Sequence, residues 1–291
     1  MGKSRPLSRP AAARRRAVRA MVGSAAAWAV LCAGAAAGDV IGHPSSEKTE
    51  SAFLRAAQTA GQQGDLNSAI AFYRRAAQIA PKDPIPMAEL GALLEHSEAL
   101  PGAVEAYRDA AARAPENVLY QMQLGRLALR MDAPAEAQVR FDQAVRLHPE
   151  PAAWNGLGVS LDLQGAHARA QSAYAEGLKL APGDPTLRNN LGLSQALAGD
   201  YPAAISTLSA LAASPDSTAR YRLNLALVYG LAGDDDKAAA AARQDLGERE
   251  IASNRAYYAM LRGMGDKSRT EAILGLAGPP AAPGAPPPAH R

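Results

Sequence analysis

The chain has few aromatic residues and a single cysteine, and both shortages limit the folds open to it. Phe, Trp and Tyr make up 5% of its 291 residues, so large rings cannot fill a bulky core. With Cys32 as the only thiol, an intramolecular disulfide and a thiolate metal cluster are both excluded. Alternating runs of Val, Ile and Thr are almost absent, which disfavours strands. Abundant alanine instead favours closely packed short helices, and we predict an all-α fold.

The distribution of charge excludes one class of partner. Of the 31 basic residues, seven lie within residues 1–38, a segment that contains no acidic residue. The remaining 24 basic residues are interspersed with all 28 acidic residues, so the body of the chain is mildly acidic. It has neither the basic stripe nor the stacking aromatic residues that a nucleic-acid surface needs. We therefore expect no binding of nucleic acid.

Residues 1–38 have the composition of a secretory leader. A basic stretch precedes an uncharged run of small and apolar residues at 21–37, which ends in three alanines. This order is typical of a bacterial export signal with a cleavage site, and it predicts an exported, periplasmic protein. The uncharged run is too short and too rich in alanine to be a typical membrane span.

Cys32, near the end of this apolar run, allows two interpretations. It has the place of the lipidated cysteine of a bacterial lipoprotein, although Leu31 stands where a small residue is expected. Alternatively, Cys32 is discarded with a cleaved signal peptide. Membrane attachment is therefore expected only through a lipidated Cys32 or through an uncleaved leader.

A leucine followed by glycine or alanine recurs along the chain at spacings of 34, 33, 34 and 34 residues. Its copies are Leu90-Gly91, Leu124-Gly125, Leu157-Gly158, Leu191-Gly192 and Leu225-Ala226. An alanine follows each copy at a fixed distance, then in most copies a large side chain, and a proline often closes the unit. An earlier unit lacks the leucine-glycine pair but keeps Gly64-Asp65 and the later residues.

This pattern resembles the tetratricopeptide repeat (TPR), a helical hairpin of about 34 residues. The small residues are expected where two antiparallel helices touch, because larger side chains would separate the helix axes. Gly-Asp pairs such as Gly64-Asp65 are expected to end the first helix and to cap the second. The resemblance implies an all-α TPR solenoid of about six antiparallel helical hairpins with a C-terminal capping helix.

The same spacing divides the chain into segments. We predict a leader at 1–38, a linker at 39–49, the TPR array at 50–252, a capping helix at 253–275 and a disordered Pro/Ala-rich tail at 276–291. A single hairpin cannot bury its apolar face alone, so stability is expected to come from stacking of neighbouring units.

The sequence contains no recognisable catalytic constellation. A phosphate-binding loop, a Gly-x-Ser-x-Gly elbow and a dinucleotide-binding glycine motif are absent. None of the five histidines has a carboxylate or a cysteine at the spacing of metal ligands. We predict a binding scaffold without cofactor or metal, not an enzyme.

A partner is expected on the inner face, which the first helices of the hairpins line. The candidate residues are Met122, Arg126, Asn155, Val159, Asn189, Leu193, Leu197, Leu223 and Leu227. They change from polar to apolar toward the C-terminus, and an apolar groove suits an amphipathic helix or an extended apolar segment. Asn155 and Asn189 share one position in their units, from which they would bond a peptide backbone. Alternatively, some of the leucines pack on a neighbouring helix or lie under the capping helix.

The C-terminal stretches 224–246 and 252–262 resemble the ending of TadD-like proteins of tight-adherence (Tad/Flp) pilus systems. The shared layout is a leader with a lipoprotein cysteine, TPR units and a final helix containing Asn-x-Ala-Tyr. The resemblance implies a pilotin-like outer-membrane lipoprotein that supports assembly or localisation of the pilus secretin pore. Its partner would be the secretin or another pilus component, at the periplasmic face of the outer membrane. The alternative is a periplasmic or cytoplasmic TPR adaptor unrelated to pili.

Overall fold

The computed structural model describes residues 46–275, and it confirms the expectation of an all-α solenoid. These residues form fourteen α-helices and no strand. In chain order the helices are α1 Ser46–Gln62, α2 Leu66–Ile79, α3 Ile85–His96, α4 Leu100–Arg113, α5 Val118–Arg130, α6 Pro134–Leu147, α7 Pro151–Asp162, α8 His167–Leu180, α9 Pro185–Leu197, α10 Tyr201–Ala212, α11 Ala219–Leu231, α12 Asp235–Ala242, α13 Glu248–Arg262 and α14 Asp266–Gly275. The leader with Cys32, most of the linker, and the tail lie outside the described residues.

The first twelve helices pair into six consecutive hairpins, from α1 with α2 to α11 with α12. Each second helix also contacts the first helix of the next hairpin. From α5 to α11, the first helices of successive hairpins contact one another as well. The first helices therefore form an inner layer and the second helices an outer layer, as in a stacked solenoid.

The turn inside each hairpin places one residue in the left-handed backbone region. These residues are Gly64, Glu98, Asp132, Gly165, Gly199 and Gly233. Where an aspartate follows the glycine, its carboxylate accepts a hydrogen bond from a backbone N–H three residues later, as Asp65 does from Ser68 at 3.1 Å. Asp200 and Asp234 cap α10 and α12 in the same way. The expected role of the Gly-Asp pairs, ending one helix and capping the next, is confirmed.

The glycine of the repeated motif lies against the large side chain near the end of the same hairpin. The pairs are Gly91 with Tyr107, Gly125 with Phe141, Gly158 with Tyr174, and Gly192 with Leu208. A Cβ atom on Gly158 would lie 2.6 Å from Cζ of the buried Tyr174 ring. The two helices of a hairpin can therefore approach only because the motif glycine has no side chain.

The C-terminal end differs from the predicted single helix at 253–275, because two helices lie there. α13 begins earlier, at Glu248, since Glu250 reaches back to accept a hydrogen bond from the Gly247 N–H at 2.9 Å. It packs on α11 and α12, and its Tyr258 ring lies directly over Gly230. The chain then turns at Gly263–Gly265. α14 contacts both α13 and the more distant α9, so it folds back across the inner layer.

Candidate partner-binding surface

We call the surface formed by the first helices of the six hairpins the inner face. Its N-terminal half is polar and carries ion pairs between α3 and α5. Arg130 donates to Glu95 at 2.8 Å and to Glu98 at 2.7 Å. The predicted residue Arg126 joins this network, with a guanidinium nitrogen 3.8 Å from Glu95. The other predicted residue of α5, Met122, is half-buried against the core, so this half offers charge rather than an apolar groove.

The predicted apolar residues of the C-terminal half are mostly inside the protein. Val159, Leu193, Leu197 and Leu223 are all less than 10% exposed, and only Leu227 is half-buried. This differs from the expectation of an open apolar groove, and neighbouring helices supply the physical reason.

Three different neighbours cover these apolar residues. Val159 belongs to the core of the third and fourth hairpins. Leu223 packs with Ala239, Ala242 and Ile251 at the C-terminal end. Leu193 and Leu197 belong to a cluster that also contains Ile273 and Leu274 of α14. The half-buried Leu163 and Leu227 pack against the same cluster.

The two asparagines predicted to bind a peptide, Asn155 and Asn189, are linked through Asn190 in a chain of side-chain hydrogen bonds. Asn224 donates to Asn189 at 2.7 Å, Asn189 donates to Asn190 at 3.1 Å, and Asn190 donates to Asn155 at 2.8 Å. This chain of amides connects α11, α9 and α7. Asn189 is fully buried, whereas Asn155 and Asn224 at the two ends are half-buried. A partner can reach the ends of the chain of amides but not its middle.

A buried polar cluster centred on Asp162 was not found from the sequence. The Asp162 carboxylate, 1% exposed, accepts hydrogen bonds from Tyr174 at 2.9 Å and Ser194 at 2.7 Å, and its oxygen lies 2.8 Å from Nδ1 of His167. Burial raises the pKa of this carboxyl, and the three hydrogen bonds oppose the shift. Asp162 and His167 are five positions apart across the hairpin turn, and that spacing was the only sequence signal.

This cluster does not have the arrangement of a hydrolytic triad. The carboxylate lies between Ser194 and His167, so the imidazole is not placed to take the serine proton. Ser194 is also fully buried and out of reach of a substrate. The cluster instead connects α7, α8 and α9, three helices of two neighbouring hairpins.

Among residues 46–275, no group of three or more His, Cys, Asp or Glu side chains could hold a metal ion. Within the same range, no helix is both long enough and apolar enough to cross a membrane. The acidic turn at Asp234–Asp236 caps α12, and Arg255 and Arg262 of α13 lie beside it.

Family models described as tetratricopeptide repeat match residues 50–83, 122–185, 164–218 and 189–249. No curated protein matches the sequence. Among solved structures, a tetratricopeptide repeat protein from Parabacteroides merdae is similar, with 14% identity, a TM-score of 0.64, and coverage of 78% of this chain and 91% of that one.

Two further solved structures are similar, and one of them is described as a pilus biogenesis factor. PilF of Pseudomonas aeruginosa has 19% identity and a TM-score of 0.52, over 78% of this chain and 99% of that one. PilW, described as a widely conserved type IV pilus biogenesis factor, has 19% identity and a TM-score of 0.54, over 76% of this chain and 97% of that one. At these identities the likeness concerns the fold alone.

Proposed function

We propose that this chain, which belongs to the tetratricopeptide repeat proteins, is a scaffold for pilus assembly. Proteins of this family are generally non-catalytic scaffolds for protein–protein interaction. In this proposal it binds the outer-membrane secretin of a Tad/Flp-type pilus, or another component of that pilus, and assists its assembly or localisation. It performs no chemistry of its own, and the Asp162 cluster has a structural role.

The observation that carries the proposal is the C-terminal unit. The residues that resemble the TadD-like ending fold together as α11, α12 and α13. Arg222 of α11 donates two hydrogen bonds to Asp245, at 2.8 Å and 2.6 Å, and Tyr258 of α13 packs on Gly230 of α11. The family-like residues therefore include those that build this end of the solenoid. The description of PilW, a protein of similar fold, as a type IV pilus biogenesis factor adds support.

The proposal places the protein outside the cytoplasm, at the periplasmic face of the outer membrane or in the periplasm. The support is the basic and apolar pattern of residues 1–38. Lipidation of Cys32 would hold the scaffold at the membrane. Metabolic labelling with a fatty acid tests this anchor: wild type is expected to carry the label and Cys32→Ser to lose it. An unlabelled wild-type protein would rule out the lipoprotein version.

Co-purification from the envelope of its native cells tests the function. The tagged full chain should recover the secretin, detected by a specific antibody. Tyr258→Ala, which disturbs the C-terminal unit, should lower the recovery. Met260→Ala changes an exposed side chain of the same helix and should leave recovery unchanged. If neither the secretin nor another pilus component is recovered with wild type, the proposal is wrong and an adaptor unrelated to pili remains.

A further inference from the structure

We propose that a pocket at the edge of the second and third hairpins takes an aliphatic side chain of a partner protein, with a lysine or arginine of that partner beside it. The pocket lies between α4 and the turn that joins α5 to α6, and we call it the edge pocket. Its apolar lining residues are Pro101, Val104, Leu124, Ala128, Met131 and Ala133. None of the residues predicted for the inner face lines it, so the inference goes beyond the proposed function and does not depend on a pilus partner.

The first observation is that the equivalent place is closed at the next boundary along the solenoid. Gln164 precedes the left-handed residue of its hairpin turn, as Met131 does one hairpin earlier. The Gln164 amide donates to Gln138 at 3.0 Å and to the Pro134 carbonyl at 3.3 Å, so it joins the turn to the outer helix of the preceding hairpin. Val104 has the position of Gln138 in its own unit, because each follows the repeated alanine. The same two positions therefore form a hydrogen-bonded bridge at one boundary and an apolar pocket at the other.

The second observation is the exposure of Met131, which is 43%. The residues at this turn position in the other five hairpins are polar or small, namely Gln63, Ser97, Gln164, Ala198 and Ala232. The flexible thioether of methionine adapts to irregular apolar partners and is common at binding surfaces. Met131 is therefore an exception within the repeat, and an apolar side chain in the edge pocket would cover it.

The size of the edge pocket suits a protein side chain. Its volume is about 260 Å³, below the roughly 300–1,000 Å³ of small-molecule sites. Leu124 and Ala128, at 3% and 5% exposed, line its buried part. An aliphatic group that enters therefore reaches the core between the two hairpins, as the anchor residue of a protein interface does.

The charged residues at the pocket define what accompanies this anchor. Glu136 accepts a hydrogen bond from Arg140 at 2.9 Å and lies 3.6 Å from Arg108, so both arginines already have a carboxylate. Glu105 also lines the pocket, is exposed, and has no ion pair among residues 46–275. Its carboxylate attracts a cation, and a lysine or arginine next to the aliphatic anchor complements it.

An acetylated and amidated tripeptide, Lys-Leu-Lys, is the probe that tests the inference on the full chain. In NMR spectra of protein with isotopically labelled methionine methyl groups, the peptide should shift the Met131 signal. The signal of Met260, which is exposed on α13, should stay in place and serves as the internal control. Saturation transfer to the leucine methyl groups of the peptide gives the affinity for wild type and for each variant.

The closing variant copies the glutamine pair of the next boundary. Val104→Gln with Met131→Gln should lower the affinity for Lys-Leu-Lys about tenfold, because the aliphatic anchor loses its apolar contacts. Helical circular dichroism and the urea midpoint should stay close to those of wild type. Lys-Ser-Lys is the matched control peptide and should bind wild type as weakly as Lys-Leu-Lys binds this variant.

A second variant keeps the test valid if the closing variant folds poorly. Glu105→Gln changes an exposed side chain and should weaken binding of Lys-Leu-Lys about two- to fivefold, while a neutral Gly-Leu-Gly peptide binds as before. Equal affinities of Lys-Leu-Lys for wild type and the closing variant would overturn the inference, as would an unmoved Met131 signal. Equal binding of Glu-Leu-Glu and Lys-Leu-Lys would overturn the assignment of a basic partner.

Sedimentation tests whether a second copy of this chain fills the edge pocket instead. A wild-type dimer that Val104→Gln with Met131→Gln converts to monomers would overturn the proposal of a different partner protein. A monomeric wild type that binds Lys-Leu-Lys supports it. No pilus protein enters these measurements, so their failure is distinguishable from a failed secretin co-purification.

Discussion

The contact between Gly158 and Tyr174 gives the sharpest test of the packing. Gly158 lies inside α7, where alanine would normally be favoured over glycine by about 1 kcal/mol. In this position a Cβ atom would lie 2.6 Å from Cζ and 2.7 Å from Cδ1 of Tyr174. The ring is 1% exposed, and its hydroxyl donates to the buried Asp162. It cannot move away without straining that hydrogen bond.

Gly158→Ala should therefore lower the free energy of unfolding. Overpacking of a tight core contact costs about 1–3 kcal/mol. Strain on a hydrogen bond to a charged group adds up to about 1.5–3 kcal/mol. We expect a net loss of roughly 2–4 kcal/mol, and more for Gly158→Leu. The expected sign is thus opposite to the helix propensity of alanine.

A double-mutant cycle isolates the contact. In a Tyr174→Ala background the ring is gone, so Gly158→Ala should become neutral or stabilise by up to about 1 kcal/mol. The sixth hairpin already combines small residues at both positions, Ala226 with Ala242. A coupling energy of about 2 kcal/mol or more is expected for Gly158 with Tyr174.

Urea unfolding followed by circular dichroism, and by fluorescence of Trp154 on the same helix, measures the cycle. Two probes are needed because repeat arrays can unfold in steps. Gly183→Ala is the matched control, since no atom lies within 4 Å of its Cβ position. An unchanged midpoint for Gly158→Ala would refute the reasoning. A loss that persists without the Tyr174 ring would refute it too.

Three further predictions concern the turns, the buried cluster and an ion pair. Gly199→Ala should cost about 1–2 kcal/mol in urea unfolding because φ is 84°, whereas Gly183→Ala should change little. Asp162→Ala should cost about 2–4 kcal/mol, since the buried hydroxyls of Tyr174 and Ser194 lose their acceptor and His167 loses its partner. Hydrogen bonds from Arg222 lower the pKa of Asp245 from 3.8, so this pair stabilises the fold above pH 3.8 and less as the pH falls through the lowered pKa. Asp245→Asn should therefore be less stable than wild type at pH 7, with a smaller difference near pH 2–3; an equal difference at both pH values would contradict this assignment.

The hairpins could be predicted because their determinants are local and repeated. The spacing of pairs such as Leu157-Gly158 reports a contact that recurs in each unit, and Gly-Asp pairs such as Gly199-Asp200 report a turn within a few residues. The second and third hairpins show the limit of such signals. Glu98 and Asp132 take the left-handed conformation at φ 58° and 59° without being glycine, and only the register of the neighbouring units identifies them.

The inner face could not be predicted equally well, because burial there depends on contacts between units. Leu193 and Leu197 have the spacing of groove residues, yet both are buried in a cluster that also contains Ile273 and Leu274 of α14. Asn155 and Asn189 have the spacing of peptide ligands, yet their amides bond to Asn190 and to the next hairpin. The sequence pattern within one repeat unit predicts which way a side chain points. It does not predict which other segment of the chain packs on that side chain.

The two C-terminal helices, α13 and α14, have different structural roles at this end of the solenoid. Tyr258 and Leu261 of α13 are buried, and Arg262 donates to the Gly230 carbonyl and to Asp235, so α13 caps the last hairpin. α14 contributes mainly Ile273 and Leu274 to a hydrophobic cluster that is otherwise formed by residues of α9, α10, α11 and α13. Loss of α13 contacts should therefore destabilise the fold, whereas loss of α14 contacts should chiefly open a surface.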